Sequence, residues 1–136
     1  MFSFSKDAIL FGIAVMLAFL VALHLIFPHY PLQVAAGALM LIGLVYPVLL
    51  LGHHHSAQQQ RDEVLAALVT YGLALVGLVI WPWAVPIGLG AHAVWDFIKH
   101  NTGRGAKVVS WYPPLCIVVD LLAAAYVIVL LLTGWI

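Results

Sequence analysis

From Asp7 to Phe27 the chain is one continuous apolar run of about twenty residues, in which His24 is the main polar interruption. A helix of that length rises ~30 Å, the thickness of bilayer hydrocarbon, where a backbone without water must satisfy its own hydrogen bonds. The run is longer than a signal-peptide core, and no small-x-small cleavage site follows it, so a retained helix is expected. Four further runs follow, expected at about 32–52, 62–82, 86–100 and 114–136. The chain holds 65% hydrophobic and 7% charged residues, against about 25% charged in a soluble domain. The expected fold is therefore all-α, a bundle of five transmembrane helices forming one domain over 1–136. Five Lys/Arg balance five Asp/Glu, which leaves no basic face for nucleic acid.

Punctuation divides the runs. Ser5 or Asp7 can cap the first helix, and Phe27-Pro28-His29-Tyr30-Pro31 stops it. Pro47, after Tyr46, should loosen the end of the second helix. The stretch 53–63, with His53-His54-His55 and three glutamines, is the most polar in the chain and reads as a connection. Trp81-Pro82-Trp83 and Trp111-Tyr112-Pro113-Pro114 place aromatic residues where interfacial anchors belong. The helix opening near Pro86 is expected to be short, about 15 residues. Gly12, Gly37, Gly43, Gly72, Gly77, Ala84, Gly88 and Ala123 to Ala125 mark expected close contacts between helices.

With five spans, Lys6, Arg61, Lys99, Arg104 and Lys107 all fall on one side of the membrane. Short loops rich in Lys and Arg stay cytoplasmic, so the amino terminus is expected inside and the carboxyl terminus outside. The same topology gathers polar groups near the inner surface. On a helix His92, Asp96 and His100 stack at i, i+4 and i+8, with Asp96 ~6 Å and His92 ~12 Å deeper than His100. Asp120 is expected ~9 Å down the last helix, and His53 to His55 at the inner end of the second. An ionised Asp at the centre of a membrane helix costs about 2.5 to 3.5 kcal/mol on insertion scales. Asp96 and Asp120 should therefore face inward and be paired, protonated or bound to a cation.

Imidazole with carboxylate, presented by several helices of a bundle, suits iron, zinc or manganese. The expected ligands are His92, Asp96, His100 and one or two of His53, His54 and His55, with Asp120 as a ligand or base and Tyr112 as a proton donor. Copper(I) fits less well, since Cys116 stands alone and Met1, Met16 and Met40 lie elsewhere. Haem would need two facing ligands such as His24 and His92, which differ in depth. A bland alternative has Asp96 paired with a neighbouring His or with Lys99, and Asp120 accepting from Trp111 or Tyr112.

His53-His54-His55 with His92-x3-Asp96-x3-His100 is similar in character to the His boxes of membrane hydroxylases and desaturases. The chain lacks their recurrent His-x2-3-His-His boxes, so no catalytic residue carries over. His92-x-x-Trp95-Asp96, followed by Trp111-Tyr112-Pro113-Pro114 and Asp120, resembles small uncharacterised bacterial multi-span membrane proteins. That resemblance covers about the last third of the chain and implies no particular activity; composition and topology lead to the expectation of a multi-pass protein of the cell inner membrane. The expected function is a non-haem metal-dependent enzyme, an oxidoreductase or hydrolase, acting on a lipophilic substrate. Two other readings stay open: a proton- or cation-conducting carrier using an Asp/His relay, and an accessory subunit of a larger membrane complex; the expected partners are the lipid bilayer, a lipophilic substrate and either further copies of the chain or that complex.

Overall fold

A computed structural model of the chain describes residues 6–135. It contains five helices: α1 (Lys6–Ile26), α2 (Pro31–Leu49), α3 (Ala57–Val79), α4 (Ala84–Thr102) and α5 (Tyr112–Thr133). Ser5 and Ile136 lie outside the described residues. Four helices, α1, α2, α3 and α5, are long and apolar enough to cross a membrane, so this is an all-α membrane protein. α4 matches α2 at 19 residues but is less apolar, because it carries His92, Asp96, Lys99 and His100.

Several helix ends differ from the sequence expectation, each for a local reason. α3 starts at Ala57 rather than near Asp62, because Ser56 and Gln59 form a reciprocal capping box that satisfies two free backbone N–H groups. Gln58 to Arg61 are thus helical, and Glu63 lies six residues inside the helix instead of at its mouth. α2 ends at Leu49, just after Pro47, so His53 to His55 belong to a connection and to no helix. α4 runs from Ala84 to Thr102, four residues longer than expected, with Pro86 in its first turn and Gly103 as a left-handed cap at φ 69°.

α4 is the centre of the arrangement, packed between α3 and α5; α2 lies against α3, and α1 leans chiefly on α5. Close approaches are made at small residues. A Cβ on Gly12 would come 2.9 Å from Val118, one on Gly43 2.8 Å from Thr70, and one on Gly88 2.7 Å from Leu39. Gly37 and Gly72 face open space and mark no contact, contrary to the sequence expectation. Each lies between buried residues, Ala36 and Leu39 or Thr70 and Ala74, but on the face of its helix turned away from the neighbouring helix.

The interior is stratified. In the half that holds the α1–α2 and α3–α4 connections, the core is Ala36, Leu39, Ala74, Val85, Leu89 and Val127. In the other half the buried side chains include Tyr46, Glu63, His92, Asp96, Lys99 and Asp120. α4 therefore turns its charged groups inward and exposes Ile87, Val94 and Phe97.

Candidate metal centre

Spacing four residues apart puts His92 and Asp96 on one face of α4, and the α4–α5 packing brings Asp120 against them. His92 Nδ1 donates to Asp120 Oδ2 at 2.9 Å and lies 3.2 Å from Asp96 Oδ2. One ligand atom from each of the three residues falls within 4.8 Å of the other two. All three side chains are shut away from the surface, Asp96 completely and Asp120 to 1% of its area.

Tyr46 of α2 completes the inner wall. Its hydroxyl donates to Asp96 Oδ1, and its ring lies parallel to His92, 10° from coplanar with centroids 5.8 Å apart. These contacts leave a deficit. One imidazole N–H cannot serve two carboxylates, and among the described residues Asp96 Oδ2 and Asp120 Oδ1 are buried without a hydrogen bond. A buried carboxylate oxygen left without a donor carries a desolvation cost of about 1 to 3 kcal/mol or more. The donor set, one nitrogen and two carboxylates, is one that holds a divalent ion.

A second buried layer lies beyond Tyr46. Glu63 of α3 pairs with Lys99 of α4, accepts from Trp95 Nε1 at 2.9 Å and from the Ala106 backbone N–H at 2.7 Å. Lys99 also sits 4.1 Å from the Tyr46 ring centre. Both carboxylate oxygens of Glu63 and the Lys99 ammonium are thus partnered. The loop folds over the pair at Gly105, whose φ of 74° and nearness to Glu63, Lys99 and Trp95 leave no room for a Cβ.

The structure brings together His92, Asp96 and Asp120, and leaves the other expected site residues apart from that trio. His53 and His54 are exposed. His55 is buried for a different purpose: its Nδ1 faces the Leu50 and His53 carbonyls, so Nε2 is the acceptor for the Lys107 backbone N–H at 3.0 Å. His100 is half-buried at the end of α4, two turns from His92. Tyr112 meets the Tyr46 ring edge-on at 6.0 Å and lines a separate cavity of about 500 Å³ with His53, Lys107 and Trp111. Of the bland alternative, the pairing of Asp96 with a neighbouring His is present, at His92; Asp120 pairs with His92 rather than with Trp111 or Tyr112, and Lys99 pairs with Glu63 rather than with Asp96.

Sequence reasoning missed Tyr46 as a partner and Glu63–Lys99 as a buried pair. The Ser56-x-x-Gln59 cap was the available signal for Glu63, since it moves the helix start outward and draws Glu63 into the bundle. His92 also belongs to a cleft of about 300 Å³ between α3 and α4, whose wall includes Asp62, Leu65, Val69, Trp95 and Arg104. Compared with protein-family models, curated proteins and solved structures, the chain has no match.

Proposed function

We propose that this protein is a multi-pass membrane metalloprotein that holds iron, manganese or zinc through His92, Asp96 and Asp120 and acts on a lipophilic substrate. The observation that carries the reading is the convergence of three buried donor atoms, with one oxygen of each carboxylate left without a hydrogen bond. Uncompensated negative charge in an apolar bundle favours a cation. Bound there, such an ion would supply the means to activate water for hydrolysis or, as iron or manganese, to exchange an electron. The chain's own residues do the holding. Tyr46 fixes the Asp96 carboxylate, and the parallel Tyr46 ring fixes the imidazole plane. His92 would have to give up the proton of whichever ring nitrogen served as ligand.

The test is metal content. Protein purified in mild detergent should carry close to stoichiometric iron, manganese or zinc by elemental mass spectrometry. His92→Ala and Asp120→Asn should each remove most of it while eluting as the parent does. A parent free of metal after incubation with all three ions would overturn the proposal.

The reading includes five spans, amino terminus inside and carboxyl terminus outside, in a cell inner membrane. It is supported by α4, which is long enough to cross and presents Ile87, Val94 and Phe97 outward, and by the five Lys/Arg at one end of the bundle. A relay for protons or cations draws less support. Outward of Asp120, the residues Leu39, Leu89, Ala124 and Val127 close the centre of the bundle with apolar side chains, and the His24–Tyr126 hydrogen bond, beside Ala124 and Val127 in sequence, is exposed at the periphery of that layer.

A further inference from the structure

The buried trio needs an approach, and the cleft between α3 and α4 supplies one. His92 is the residue common to the trio and to the cleft wall. Since its Nδ1 edge is turned to the two carboxylates, the imidazole is the contact between anything in the cleft and the centre behind it. The other large cavity near the middle of the bundle is lined by Val15, Leu23, Ala35, Ile42, Val119 and Val127 among others, and touches none of the three.

The cleft has two characters. Along α3 its wall is Leu65, Ala66 and Val69, with Leu65 and Val69 more than half exposed, so this side opens to the hydrocarbon around the protein. At the end nearer the α4–α5 loop it carries Asp62 and Arg104. Arg61 lies 3.7 Å from Asp62. Within the wall Asp62 and Arg104 balance; Arg61, outside the wall and against Asp62, adds the charge that leaves Arg104 uncompensated at this end, and Glu63 behind it is already neutralised by Lys99. An apolar slot open to lipid, with a net positive mouth and an imidazole at its base, matches one kind of occupant.

We propose that the α3–α4 cleft binds a single-chain amphiphile with an anionic headgroup. Its chain lies along Leu65 and Val69, its head is held by Arg104, and its upper chain is brought against His92. This deepens the metalloprotein reading and rests on it for any chemistry, whereas occupancy of the cleft does not require a metal. Carboxylate and phosphate heads share the recognition by Arg104, whose planar guanidinium suits either.

Full-length protein in phosphatidylcholine vesicles is exposed to three photoreactive probes with the same diazirine-bearing chain: a fatty acid, a lysophosphatidic acid and a fatty alcohol. Labelled peptides are mapped by mass spectrometry. At least one anionic probe should label 65–69 and 91–95 in preference to the lipid-facing surfaces of α1 and α5. Arg104→Gln should lower that labelling about five-fold, as expected for losing one exposed ion pair, and should leave alcohol labelling unchanged. Comparison of the two anionic probes identifies the headgroup. Ala66→Trp, which fills the slot without touching a charge, should abolish labelling at both segments. Equal labelling by the alcohol and both anionic probes, or labelling indifferent to both substitutions in protein that elutes as the parent does, would overturn the proposal. Repeating the experiment on His92→Ala and on chelator-treated protein separates the two readings: cleft labelling that survives there sustains the amphiphile site even where metal binding has failed.

Discussion

Asp96 meets two demands with one side chain. Its Oδ1 accepts from Tyr46, and its Oδ2 is turned toward His92 and left without a hydrogen bond. If the trio holds a metal, Tyr46 is a positioning residue, since it orients a ligand without being one. Partners of that kind are worth 10- to 100-fold in metal affinity. Tyr46→Phe keeps the ring on His92 and removes only the hydroxyl, so zinc affinity should fall by about that factor in competition with a chromophoric chelator, while helical content by circular dichroism stays unchanged. An unaltered affinity would place Tyr46 outside the site. At this scale the sequence was informative where chemistry is local. His92 and Asp96 are one helical turn apart, and depth counting along two antiparallel helices put Asp120 beside them. Tyr46 sits 50 residues from Asp96, inside an apolar run next to a proline, and nothing in its neighbourhood distinguishes it from a packing residue. The three adjacent histidines misled for the same reason in reverse: their spacing looks like a ligand tract, but α2 has already ended, and only His55 turns inward.

Among the elements, α4 is the one whose stability depends most on its neighbours. Lys99 and Glu63 are buried together, and each also meets groups of the loop that follows α4, through the Ala106 N–H and the Arg104 carbonyl. Removing one member of such a pair strands a charge, at a cost of about 3 to 5 kcal/mol, whereas replacing both with apolar residues of similar size can be neutral. Glu63→Leu should therefore lower the melting temperature in detergent by far more than Glu63→Leu combined with Lys99→Met. A double variant as unstable as the single would show that the pair is needed for more than charge balance, for instance to hold the loop at Gly105. The existence and order of the helices were legible, because each needs only a long apolar run and a stop. The start of α3 was not: the polar residues of its first two turns outweigh, in composition, a capping box of just two side chains.

For the whole molecule, the proposed five crossings would place the connections at 50–56 and 103–111 on one side and those at 27–30 and 80–83 on the other. In a Cys116→Ser background, single cysteines at His54 and Asn101, both exposed, should react with an impermeant maleimide only after the inner surface is opened. One at exposed His29 should react in intact cells. Labelling of His54 and Asn101 from opposite sides would mean that α3 and α4 do not both cross. The spans followed from hydropathy, but the separation of the interior into an apolar layer and a charged layer did not, because it depends on which face each helix presents. That separation bears on how the chain is made. As α4 leaves the ribosome, α3 has already passed, and Glu63 is there to receive Lys99, but Asp120 is still to be synthesised. An Asp or Lys near the centre of a lone helix opposes partition into lipid by about 2.5 to 3.5 kcal/mol each. If α4 crosses, Tyr46 of α2 is already there for Asp96 but the Asp120 partner of His92 is not, so the last two helices are expected to enter the bilayer together as a hairpin.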